Sequence, residues 1–574
     1  MQNPLQILKN KTDRPDNKKY PSQTYKLRFI PIGGIVGVTK NMYVYELYEN
    51  NTLKDIVIVD CGIGFPREKD LGVDFVIPDI TYLLDKTDKI RAILFTHGHE
   101  DHISALKFHY EKLGKPPVYG SKLTAALLEA KFIDFGLTLK VNVISYGKEY
   151  VFGDFKAEYI HTTHSIPDTC HILLKTPVGN FYHGSDFKLD LTPVYGKHPD
   201  FYAITKAGHD GVRCLLSDCL GSETPGLTAS EAIVGQTFED HMRVTKGKFI
   251  MTTFGSNISR IRQCTEAAIK FNRKICFLGR SMKQNVQLTK GLGYLPIPHN
   301  FLIDEKDVMS LPANKVCLMM PGSQGQFNSA LDKIGNQQNK NIRIEKGDKV
   351  LFSSDPIPGA ENEVYDLIER LTELGAQVIY SDTHEQLHAS GHGKQEDLKF
   401  LMRFTNPEYL IPIGGTIRHQ RQYLELARDL GFHDSKVALL KEGETYWFEK
   451  DKAYVGESIE TKNIYVDAYG VGDVGNVILR DRKTLAKEGI VILNLFVDEK
   501  DKFIMEPNFV TRGFIFEKDE KILFNKAIKE IKIILNEKEY SIESVRQNLS
   551  RRLEKLFFKE TGREPLVVVE IVKV

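Results

Sequence analysis

The chain has 574 residues, of which 41% are hydrophobic and 27% charged, so it has the composition of a globular protein and is too long for a single hydrophobic core. Lys and Arg number 77 against 76 Asp and Glu; net charge therefore attracts no polyanion, and any nucleic-acid contact must come from local patches. The N-terminus lacks a hydrophobic signal core and no run of roughly 18 apolar residues occurs, which excludes a membrane segment and predicts a cytoplasmic protein.

Residues 1–24 are predicted to form a basic flexible tail. Five lysines and arginines stand there against two aspartates, with Asn and Pro between them. Such a composition favours a solvated, disordered segment. An arm that contacts RNA is the alternative.

Residues 25–221 predict short strands separated by turns. The stretches 27–32, 42–47 and 55–60 are strand-like, and 91–96 is an almost continuous apolar run. Such runs are typical of strands that are covered on both faces.

Residues 222–381 predict alternating strands and helices. A strand at 248–254 leads through GlySerAsn (255–257) into a helical stretch at 260–270. Further predicted strands, each followed by Gly, Asp or Pro, lie at 274–278, 315–320 and 349–354. This pattern indicates an open α/β layer with polar loops at the carboxyl ends of its strands.

The remaining chain divides into a stretch rich in motifs at 382–450, a charged linker at 451–462 and an α+β piece at 463–574, with helices predicted at 519–537 and 541–559. The second of these helices has one basic and one apolar face, as a packed helix with a solvated side does. The seven cysteines form no CxxC pair and most lie in apolar runs, so we expect buried free thiols and a reducing compartment.

The strongest motif is ThrHisGlyHisGluAspHis at 96–102. It follows a predicted strand, so His97 and His99, two residues apart, should point the same way. Asp101 and His102 fall on the next turn, where they can face a second ion. Imidazole and carboxylate groups suit zinc or manganese, and a hydrolytic site leaves one position open for water. The motif therefore predicts metal binding; a merely polar surface loop is the alternative.

Two later residues offer further ligands. His164 lies in a polar turn after a strand, within HisThrThrHisSerIleProAsp (161–168), and Asp186 follows another apolar run, within TyrHisGlySerAspPheLys (182–188). We predict that His164 completes the first site and that Asp186 bridges both ions. Either residue taken alone fits an ordinary loop, and His161 and His183 are the rivals.

Several stretches beyond this motif carry a resemblance to a known family. They are AspCysGlyIleGlyPhePro (60–66), HisSerIleProAsp (164–168), SerAspPheLys (185–188), GlySerGlnGly (322–325), SerSerAspProIleProGlyAlaGlu (353–361), HisAlaSerGlyHisGly (388–393) and AspValGlyAsnValIleLeuArgAspArg (473–482). From about residue 26 onwards the chain resembles the ribonuclease J family, β-CASP members of the metallo-β-lactamase superfamily.

The resemblance implies an α/β fold: a metallo-β-lactamase αββα sandwich built from 25–221 and 382–450, an inserted β-CASP α/β domain at 222–381, and a C-terminal α+β domain at 463–574. It also implies a metal-dependent ribonuclease of RNA maturation and decay. RNA would thread between the two catalytic domains and be cut both 5′-to-3′ from a 5′-monophosphate end and internally.

The resemblance assigns His97, His99, His164 and Asp186 to one ion, and Asp101, His102 and the shared Asp186 to another. Two ions would generate hydroxide near neutral pH and clamp the scissile phosphate. Zn²⁺ is the expected metal. His392, paired with Asp218, matches the general acid that protonates the leaving 3′ oxygen.

The same resemblance implies a pocket for the substrate phosphate. Residues of the segment 388–392 would meet residues of the turn 255–257, where backbone amides open onto a helix N-terminus. The pocket residues are Ser256, Asn257, His388, Ala389, Ser390, Gly391 and His392. Since Ser–Asn turns cap many helices, a structural role is the alternative.

Two further features come from the family. Gly72, Asp74 and Asp467 match positions that hold a structural Ca²⁺ ion in some relatives, although an Asp in a turn needs no ion. The C-terminal domain implies a homodimer or tetramer.

One departure from the family weakens the second metal site. Most relatives place a metal-binding histidine after a strand in a ProValHisGlyGlu context, whereas this chain has IleProIleGlyGly at 411–415, so residue 414 is Gly. Three readings compete: the second ion binds weakly or only with RNA, His419 substitutes, or the protein works with one ion or none. We expect a weakened site that prefers a harder ion, Mn²⁺ or Mg²⁺, because its remaining ligands are richer in oxygen.

Three alternative functions stay open at this stage. One is an RNA-binding scaffold whose catalysis has decayed with the lost histidine. Another is a hydrolase of a small thioester or lactam, which the large α/β insertion disfavours because a small substrate needs no such clamp. The third is a DNA-processing relative, since one sequence does not show contacts to the 2′-hydroxyl.

Overall fold

The computed structural model describes residues 24–67, 70–357, 359–467, 470–472, 475–499, 502–514, 517–535 and 542–574. The expected tail lies outside these ranges except for Thr24. In chain order the strands are β1 (Tyr25–Gly33), β2 (Met42–Glu49), β3 (Thr52–Val59), β4 (Phe75–Ile77), β5 (Ile90–Leu94), β6 (Val118–Gly120), β7 (Val141–Val143), β8 (Glu149–Phe152), β9 (Phe155–His161), β10 (Cys170–Thr176), β11 (Gly179–Gly184), β12 (Cys214–Asp218), β13 (Phe249–Thr252), β14 (Lys274–Phe277), β15 (Val316–Met320), β16 (Lys349–Phe352), β17 (Gln377–Ile379), β18 (Tyr409–Ile413), β19 (Tyr446–Phe448), β20 (Ala453–Val455), β21 (Ile464–Asp467), β22 (Gly470–Val471), β23 (Ile490–Val497), β24 (Asn508–Arg512) and β25 (Leu566–Lys573).

The helices are α1 (Glu100–Ile103), α2 (Leu106–His109), α3 (Lys122–Asp134), α4 (Phe201–Asp210), α5 (Ala232–Val244), α6 (Ile258–Lys270), α7 (Arg280–Gly291), α8 (Ala330–Gly335), α9 (Glu361–Glu373), α10 (Gln395–Thr405), α11 (Ile417–Asp429), α12 (Asn476–Glu488), α13 (Glu517–Leu535) and α14 (Ile542–Thr561). The described residues divide into two compact units. One runs to Ile63 and continues from Pro78 to Thr461, and the other comprises Gly64–Ile77 and Lys462–Val574.

Two facing sheets form the body of the first unit. Their strand orders are β20-β19-β1-β2-β3-β5-β6-β7 and β18-β12-β11-β10-β9-β8. Alternate residues of each strand meet between the sheets; Phe29 and Val57 from one sheet and Ile172 and Phe181 from the other are fully buried there. Helices α4, α10 and α11 cover the outer face of the second sheet. The predicted αββα sandwich is confirmed.

The predicted α/β insertion is also confirmed. Its sheet has the order β14-β15-β13-β16-β17, and every pair in it is parallel. The strands are apolar on both faces, as parallel strands covered by helices on both sides require. The chain enters at β13, in the middle, passes to the edge strand β14, returns to place β15 between them, and then adds β16 and β17 on the other side. Such a switch in strand order opens a crevice at the carboxyl end of the central strand, where ligands bind in open α/β sheets.

The second unit contains the sheet β24-β23-β25, packed against α13 and α14. Both predicted C-terminal helices are thus present, shifted by one or two residues. A second small sheet has the order β22-β21-β4. Strand β4 was not predicted; it pairs antiparallel with β21, as with Val76 opposite Tyr465.

All seven cysteines are buried free thiols, as expected. Among the residues that the structure describes, no helix is both long and apolar enough to cross a bilayer.

Candidate metal centre

The predicted ligands gather at one edge of the sandwich because each follows the carboxyl end of a strand. His97 and His99 follow β5, His164 follows β9 and Asp186 follows β11. Asp101 and His102 lie in α1, a single helical turn rather than the predicted loop. Residues from distant parts of the chain therefore meet at one place.

The first group of ligands is formed by three imidazoles. Nδ1 of His99 lies 3.1 Å from Nε2 of His97 and 3.1 Å from Nε2 of His164. Oδ2 of Asp186 lies 3.9 Å from Nε2 of both His97 and His164. Donor atoms at these separations can share one ion at the usual bond lengths of about 2.0–2.2 Å. The donor set therefore fits a divalent cation.

A second group lies beside the first and shares the Asp186 carboxylate. Nε2 of His102 is 3.3 Å from Oδ2 of Asp186 and 3.8 Å from Oδ2 of Asp101. His97, His102 and Asp186 can hold an ion together, and so can His164, Asp186 and His392. The shared carboxylate is where a ligand bridging two ions would lie.

Hydrogen bonds behind the imidazoles fix which nitrogen faces the centre. His164 donates from Nδ1 to the Gly391 carbonyl at 2.7 Å, and His102 faces the buried Asp60 carboxylate with Nδ1, at 2.8 Å from Oδ2. Nε2 of each ring faces the other candidate ligands; Nε2 of His102 also lies 3.1 Å from the side-chain nitrogen of Asn41. The close approach requires glycine at 391, since a Cβ there would lie 2.6 Å from Cε1 of His164.

Asp60 and Asn41 were not predicted as site residues. Asp60 also accepts hydrogen bonds from the Thr96 backbone amide at 2.9 Å and hydroxyl at 2.8 Å, which anchors the loop carrying the motif. Asn41 donates to the Asp101 carbonyl at 3.1 Å and to Oδ2 of Asp101 at 3.4 Å. For Asp60 the sequence offered a signal, an acidic residue that ends the apolar run IleValIleVal (56–59).

Burial and neighbouring charges set the protonation of the centre. Burial lowers the pKa of His99 to about 3 and holds the pKa values of His97 and His164 well below their ordinary value, so these rings are neutral, as metal ligands must be. Burial raises the pKa of Asp101 to about 6. Burial also favours a higher pKa for Asp186. The charge of His102 and of further histidines outweighs this effect and holds the pKa of the Asp186 carboxyl well below its usual range.

His392 and Asp218 form a pair at the edge of the same centre. Nδ1 of His392 lies 2.8 Å from Oδ2 of Asp218, which is completely buried, and Nε2 of His392 lies 3.9 Å from Oδ2 of Asp186. Burial opposes the charged ring, but the Asp218 and Asp186 carboxylates outweigh it and raise the pKa of His392 to about 9. The two carboxylates thus favour the protonated ring, whose Nε2 faces the ligand Asp186.

Gly414 directly adjoins this pair. Its φ is +67°, and a Cβ built on it would lie 3.4 Å from Oδ1 of Asp218 and 3.8 Å from Oδ1 of Asp186. A side chain at 414 would therefore point to Asp218 and to Asp186, the carboxylate that the two groups of ligands share. His419 does not take that place: its Nδ1 accepts a hydrogen bond from the Thr416 amide at 3.2 Å, and its Nε2 lies 3.3 Å from Glu223.

The predicted phosphate-pocket residues lie in two segments, the turn before α6 and the segment 388–392, which Arg260 of α6 contacts at the Ala389 carbonyl. Asn257 is the N-cap of α6. Its side-chain oxygen accepts a hydrogen bond from the Arg260 amide at 3.0 Å, so this oxygen has the helix-capping role that was the alternative to phosphate binding. The segment 388–392 is joined to the centre through the bond from His164 to Gly391. His388 lies 2.8 Å from Asp355, and the Ser390 hydroxyl accepts from the His392 amide at 3.0 Å. Ser256 and Asn257 follow β13, the central strand of the insertion.

The rival histidines lie elsewhere. His161 donates from Nδ1 to the His198 carbonyl at 3.0 Å. His183 is completely buried beneath the centre, with Nδ1 2.9 Å from the Tyr45 hydroxyl. Neither takes part in a group of metal-binding side chains among the described residues.

In the second unit, a guanidinium group takes the place expected for calcium. Arg482 donates from Nη1 to the carbonyls of Leu71 at 3.1 Å and Gly72 at 3.0 Å, and from Nη2 to the Asp467 carboxylate. The Asp74 amide is used in pairing with Val466. Because a positive side chain already uses these oxygens, Gly72, Asp74 and Asp467 do not fit a Ca²⁺ ion in this arrangement.

Family models match most of the chain. "Metallo-beta-lactamase superfamily" matches residues 37–181, "Ribonuclease J, beta-CASP domain" matches 246–371, "Zn-dependent metallo-hydrolase RNA specificity domain" matches 361–437, and "Ribonuclease J C-terminal domain" matches 477–574. The order of these matches is the order of the elements described above. Among solved structures, a protein of unknown function from Enterococcus faecalis V583 shares the fold, with a TM-score of 0.52 and 15% identity over 73% of this chain and 99% of that chain.

Curated relatives match over almost their whole length. Ribonuclease J2 of Bacillus subtilis (strain 168) is 35% identical over 558 residues, which cover 96% of this chain and 99% of the relative. Ribonuclease J 1 of Streptococcus pyogenes serotype M3 is 36% identical over 548 residues, which cover 94% of this chain and 96% of the relative. Together with the matched domains, these relatives show that the chain belongs to the ribonuclease J family of the metallo-β-lactamase superfamily.

Proposed function

We propose that the chain is a metal-dependent ribonuclease that hydrolyses RNA phosphodiester bonds, both as a 5′-to-3′ exonuclease on 5′-monophosphate RNA and as an endonuclease. One observation carries the proposal: the ligand His164 donates a hydrogen bond to Gly391, so the metal centre and the candidate phosphate pocket are directly joined. The match to an RNA-specificity domain supports RNA as the substrate.

The chain's own residues would divide the work as follows. His97, His99 and His164, with Asp186, would hold the first cation, and Asp101, His102 and Asp186 the second. Bound there, divalent cations would polarise the scissile phosphate and ionise water near neutral pH. His392 would give its proton to the departing 3′ oxygen, and Asp218 would orient the ring and stabilise its charge.

The candidate pocket would hold the 5′ end. Asn257 caps α6, and the N-terminus of that helix favours an anion. His388, Ser390 and the backbone of Ala389 and Gly391 would face it from the other side, with Ser256 beside the helix. A pocket that admits a single terminal phosphate would place the next phosphodiester bond at the metal centre, so that the enzyme releases one nucleotide at a time.

Zinc is the metal we propose for the first site, because three imidazoles suit it, and Mn²⁺ or Mg²⁺ for the second, which is richer in oxygen. Metal analysis after dialysis tests this assignment. We expect one tightly held zinc ion per chain and a second ion that washes out. Two zinc ions retained at neutral pH would contradict it.

Product mapping tests the proposed activity. RNAs with a 5′-hydroxyl, monophosphate or triphosphate end would be incubated with Zn²⁺, Mn²⁺ and Mg²⁺, with Asp101→Ala as the inactive control. We expect mononucleotides from the monophosphate RNA and internal cuts in all three. If the native chain and Asp101→Ala give equal, negligible turnover while both bind RNA, the chain is a scaffold instead.

We also propose a homodimer or tetramer formed through the C-terminal domain, and a cytoplasmic location. The match to the ribonuclease J C-terminal domain supports the first, and seven unpaired buried thiols suit a reducing compartment. Light scattering on the full-length chain tests the assembly, and a monomer at micromolar concentration would contradict it.

A further inference from the structure

A buried network of charges lies between the metal centre and the candidate phosphate pocket. Arg260 is completely buried, and Lys188 and Glu231 are 1% and 2% exposed. Burying charged groups costs free energy unless they are paired and hydrogen-bonded, and apolar residues often fill such space at no loss of stability. A role in positioning is therefore worth seeking for this network.

Arg260 uses its guanidinium group in three directions. Nε and Nη2 reach Oε1 of Glu231 at 2.8 and 2.7 Å. Nη1 donates to the Ser353 carbonyl at 2.5 Å, and Nη2 to the Ala389 carbonyl at 3.3 Å. The same side chain thus joins α6, the end of β16 and the pocket segment.

This contact fixes the direction of the pocket backbone. The Ser353 hydroxyl donates to the Leu387 carbonyl at 2.7 Å, so the carbonyls of residues 387 and 389 are both held from one side. His388 between them is extended, with φ −137° and ψ 140°. Because backbone groups alternate in an extended segment, the amides of His388 and Ser390 face the opposite side.

The two contacts also set the path of the pocket backbone. Residue 388 follows a short helical turn at 385–387, and residues 389–391 continue from it to the bond between Gly391 and His164. Backbone amides beside a helix N-terminus suit an anion. Asn257, the N-cap of α6, lies three residues before Arg260, and Arg260 contacts the Ala389 carbonyl of the pocket segment.

The other end of the network reaches the metal centre. Glu231 donates its amide to Asp190 at 3.0 Å, and Nζ of Lys188 lies 3.7 Å from Oε2 of Glu231. Lys188 stands two residues after the ligand Asp186, and its amide donates at 2.8 Å to the carbonyl of Thr163, the residue before His164. The network therefore runs from the loops of two ligands to the pocket backbone.

We propose that Arg260 is a positioning residue for recognition of the 5′-monophosphate. Held by Glu231, it fixes the Ala389 carbonyl, so that the amide of Ser390 on the other side of the same peptide faces the phosphate, and it sets the distance of this segment from the metal centre. This inference rests on the proposed exonuclease function. It adds the residue that holds the pocket for the 5′-phosphate at a fixed distance from the metal centre, where the RNA is cut.

Arg260→Lys tests the proposal, because lysine keeps the charge beside Glu231 but loses the planar fork that holds two carbonyls as well. Arg273→Lys is the matched control: Arg273 is 3% exposed and binds backbone carbonyls, among them those of Gly247 and Thr245, outside the pocket.

The probe is a 3′-labelled, nuclease-resistant 2′-O-methyl RNA with a 5′-monophosphate or a 5′-hydroxyl. Fluorescence anisotropy without added metal gives the two dissociation constants, independently of catalysis.

We expect the native chain and Arg273→Lys to prefer the monophosphate end, and Arg260→Lys to lose that preference by roughly tenfold while its affinity for the 5′-hydroxyl RNA changes by less than about twofold. On cleavable monophosphate RNA, Arg260→Lys should release fewer mononucleotides but retain internal cuts. Glu231→Gln, which keeps Arg260 and a hydrogen-bond acceptor, should shift both readouts the same way if Arg260→Lys fails to fold.

The inference is overturned if Arg260→Lys and Glu231→Gln both keep the preference for the 5′-monophosphate RNA. It is also overturned if Arg260→Lys loses affinity for the two RNAs equally while Arg273→Lys binds them like the native chain. If the native chain itself ignores the 5′ end although it cuts RNA, the proposed exonuclease function fails and this inference fails with it. The two failures are thus distinguished by the native chain alone.

Discussion

Nδ1 of His392 lies 2.8 Å from Oδ2 of Asp218, a carboxylate with no exposed surface. Asp218 ends strand β12, and His392 lies outside the group formed by His97, His99 and His164, although it can share an ion with His164 and Asp186. Removal of the pair should therefore affect proton transfer without removing the first cation. This separation of roles gives the first prediction.

Asp218→Asn should lower kcat by roughly 10²–10⁴-fold, because an amide neither stabilises the His392 imidazolium nor holds the ring in one orientation as a carboxylate does. Metal content, measured by mass spectrometry, should stay unchanged. Steady-state kinetics on a short 5′-monophosphate RNA provides the readout. A variant with kcat within about tenfold of the native value would remove His392 and Asp218 from the proposed mechanism.

Gly414→His should strengthen the second metal site. The φ of +67° costs an L-residue about 1–2 kcal/mol, but histidine is among the residues that tolerate this region, and the nearest atoms around a Cβ lie at contact distance. We expect the affinity for the second ion, measured by titration calorimetry with Mn²⁺, to rise by roughly tenfold or more. Gly414→Ala bears the same backbone cost without the imidazole. Equal affinities in the two variants would show that position 414 does not reach the second ion.

Calcium should not stabilise the native chain. Arg482 already supplies the positive charge to Gly72 and Asp467, so we expect the same melting temperature with Ca²⁺ as with a chelator such as EGTA. Arg482→Met should lower the melting temperature, and added Ca²⁺ should then restore part of the loss. A native chain whose melting temperature rises with Ca²⁺ would show that Arg482 gives way to the ion.

Stability should fall in mild acid, in part through His109. Burial lowers the pKa of His109 to about 4, below the ordinary 6.5. Below pH 6.5 the unfolded chain takes up a proton that the folded chain does not, so the free energy of unfolding falls by up to about 1.4 kcal/mol per pH unit from this group until about pH 4.

His109→Phe replaces this imidazole with a ring that does not titrate. Urea unfolding at pH 7.5 and 5.0 should show a smaller loss of stability in the variant than in the native chain. His209→Asn, a change at an exposed position, is the control and should leave the loss unchanged. An identical pH dependence in His109→Phe would mean that His109 takes up a proton equally in the folded and unfolded chains, so that folding does not lower its pKa.

The sequence predicted the parts of the site that are local in the chain. The ThrHisGlyHisGluAspHis motif follows a strand, and strand geometry alone brings His97 and His99 to one side. His164, Asp186 and His392 were assigned because their turns resemble those of a family, and the structure brings all three together. Spacing alone could not have selected His164 over His161.

The sequence did not show the roles of the residues that act through others. Asn41 precedes β2, Asp60 follows β3 and Arg260 lies in α6, and their roles depend on contacts across long sequence distances. Arg260 lies in an amphipathic helix, and in such a helix an arginine is normally predicted to be exposed to solvent. The contact of Arg482 with the expected calcium position was missed for the same reason: Arg482 lies far along the chain from Gly72 and is joined to it only by the fold.

Strand β4 has a consequence for how this protein is made. Phe75–Ile77 emerges early during synthesis, whereas its partner β21 follows almost four hundred residues later (464 − 75 = 389). Until then the early strand presents unpaired backbone groups, a hazard for association between nascent chains. A frameshift or premature stop after residue 461 would make that exposure permanent, so prematurely terminated products should be prone to aggregation and chaperone capture even though every residue of the candidate metal centre has been synthesised.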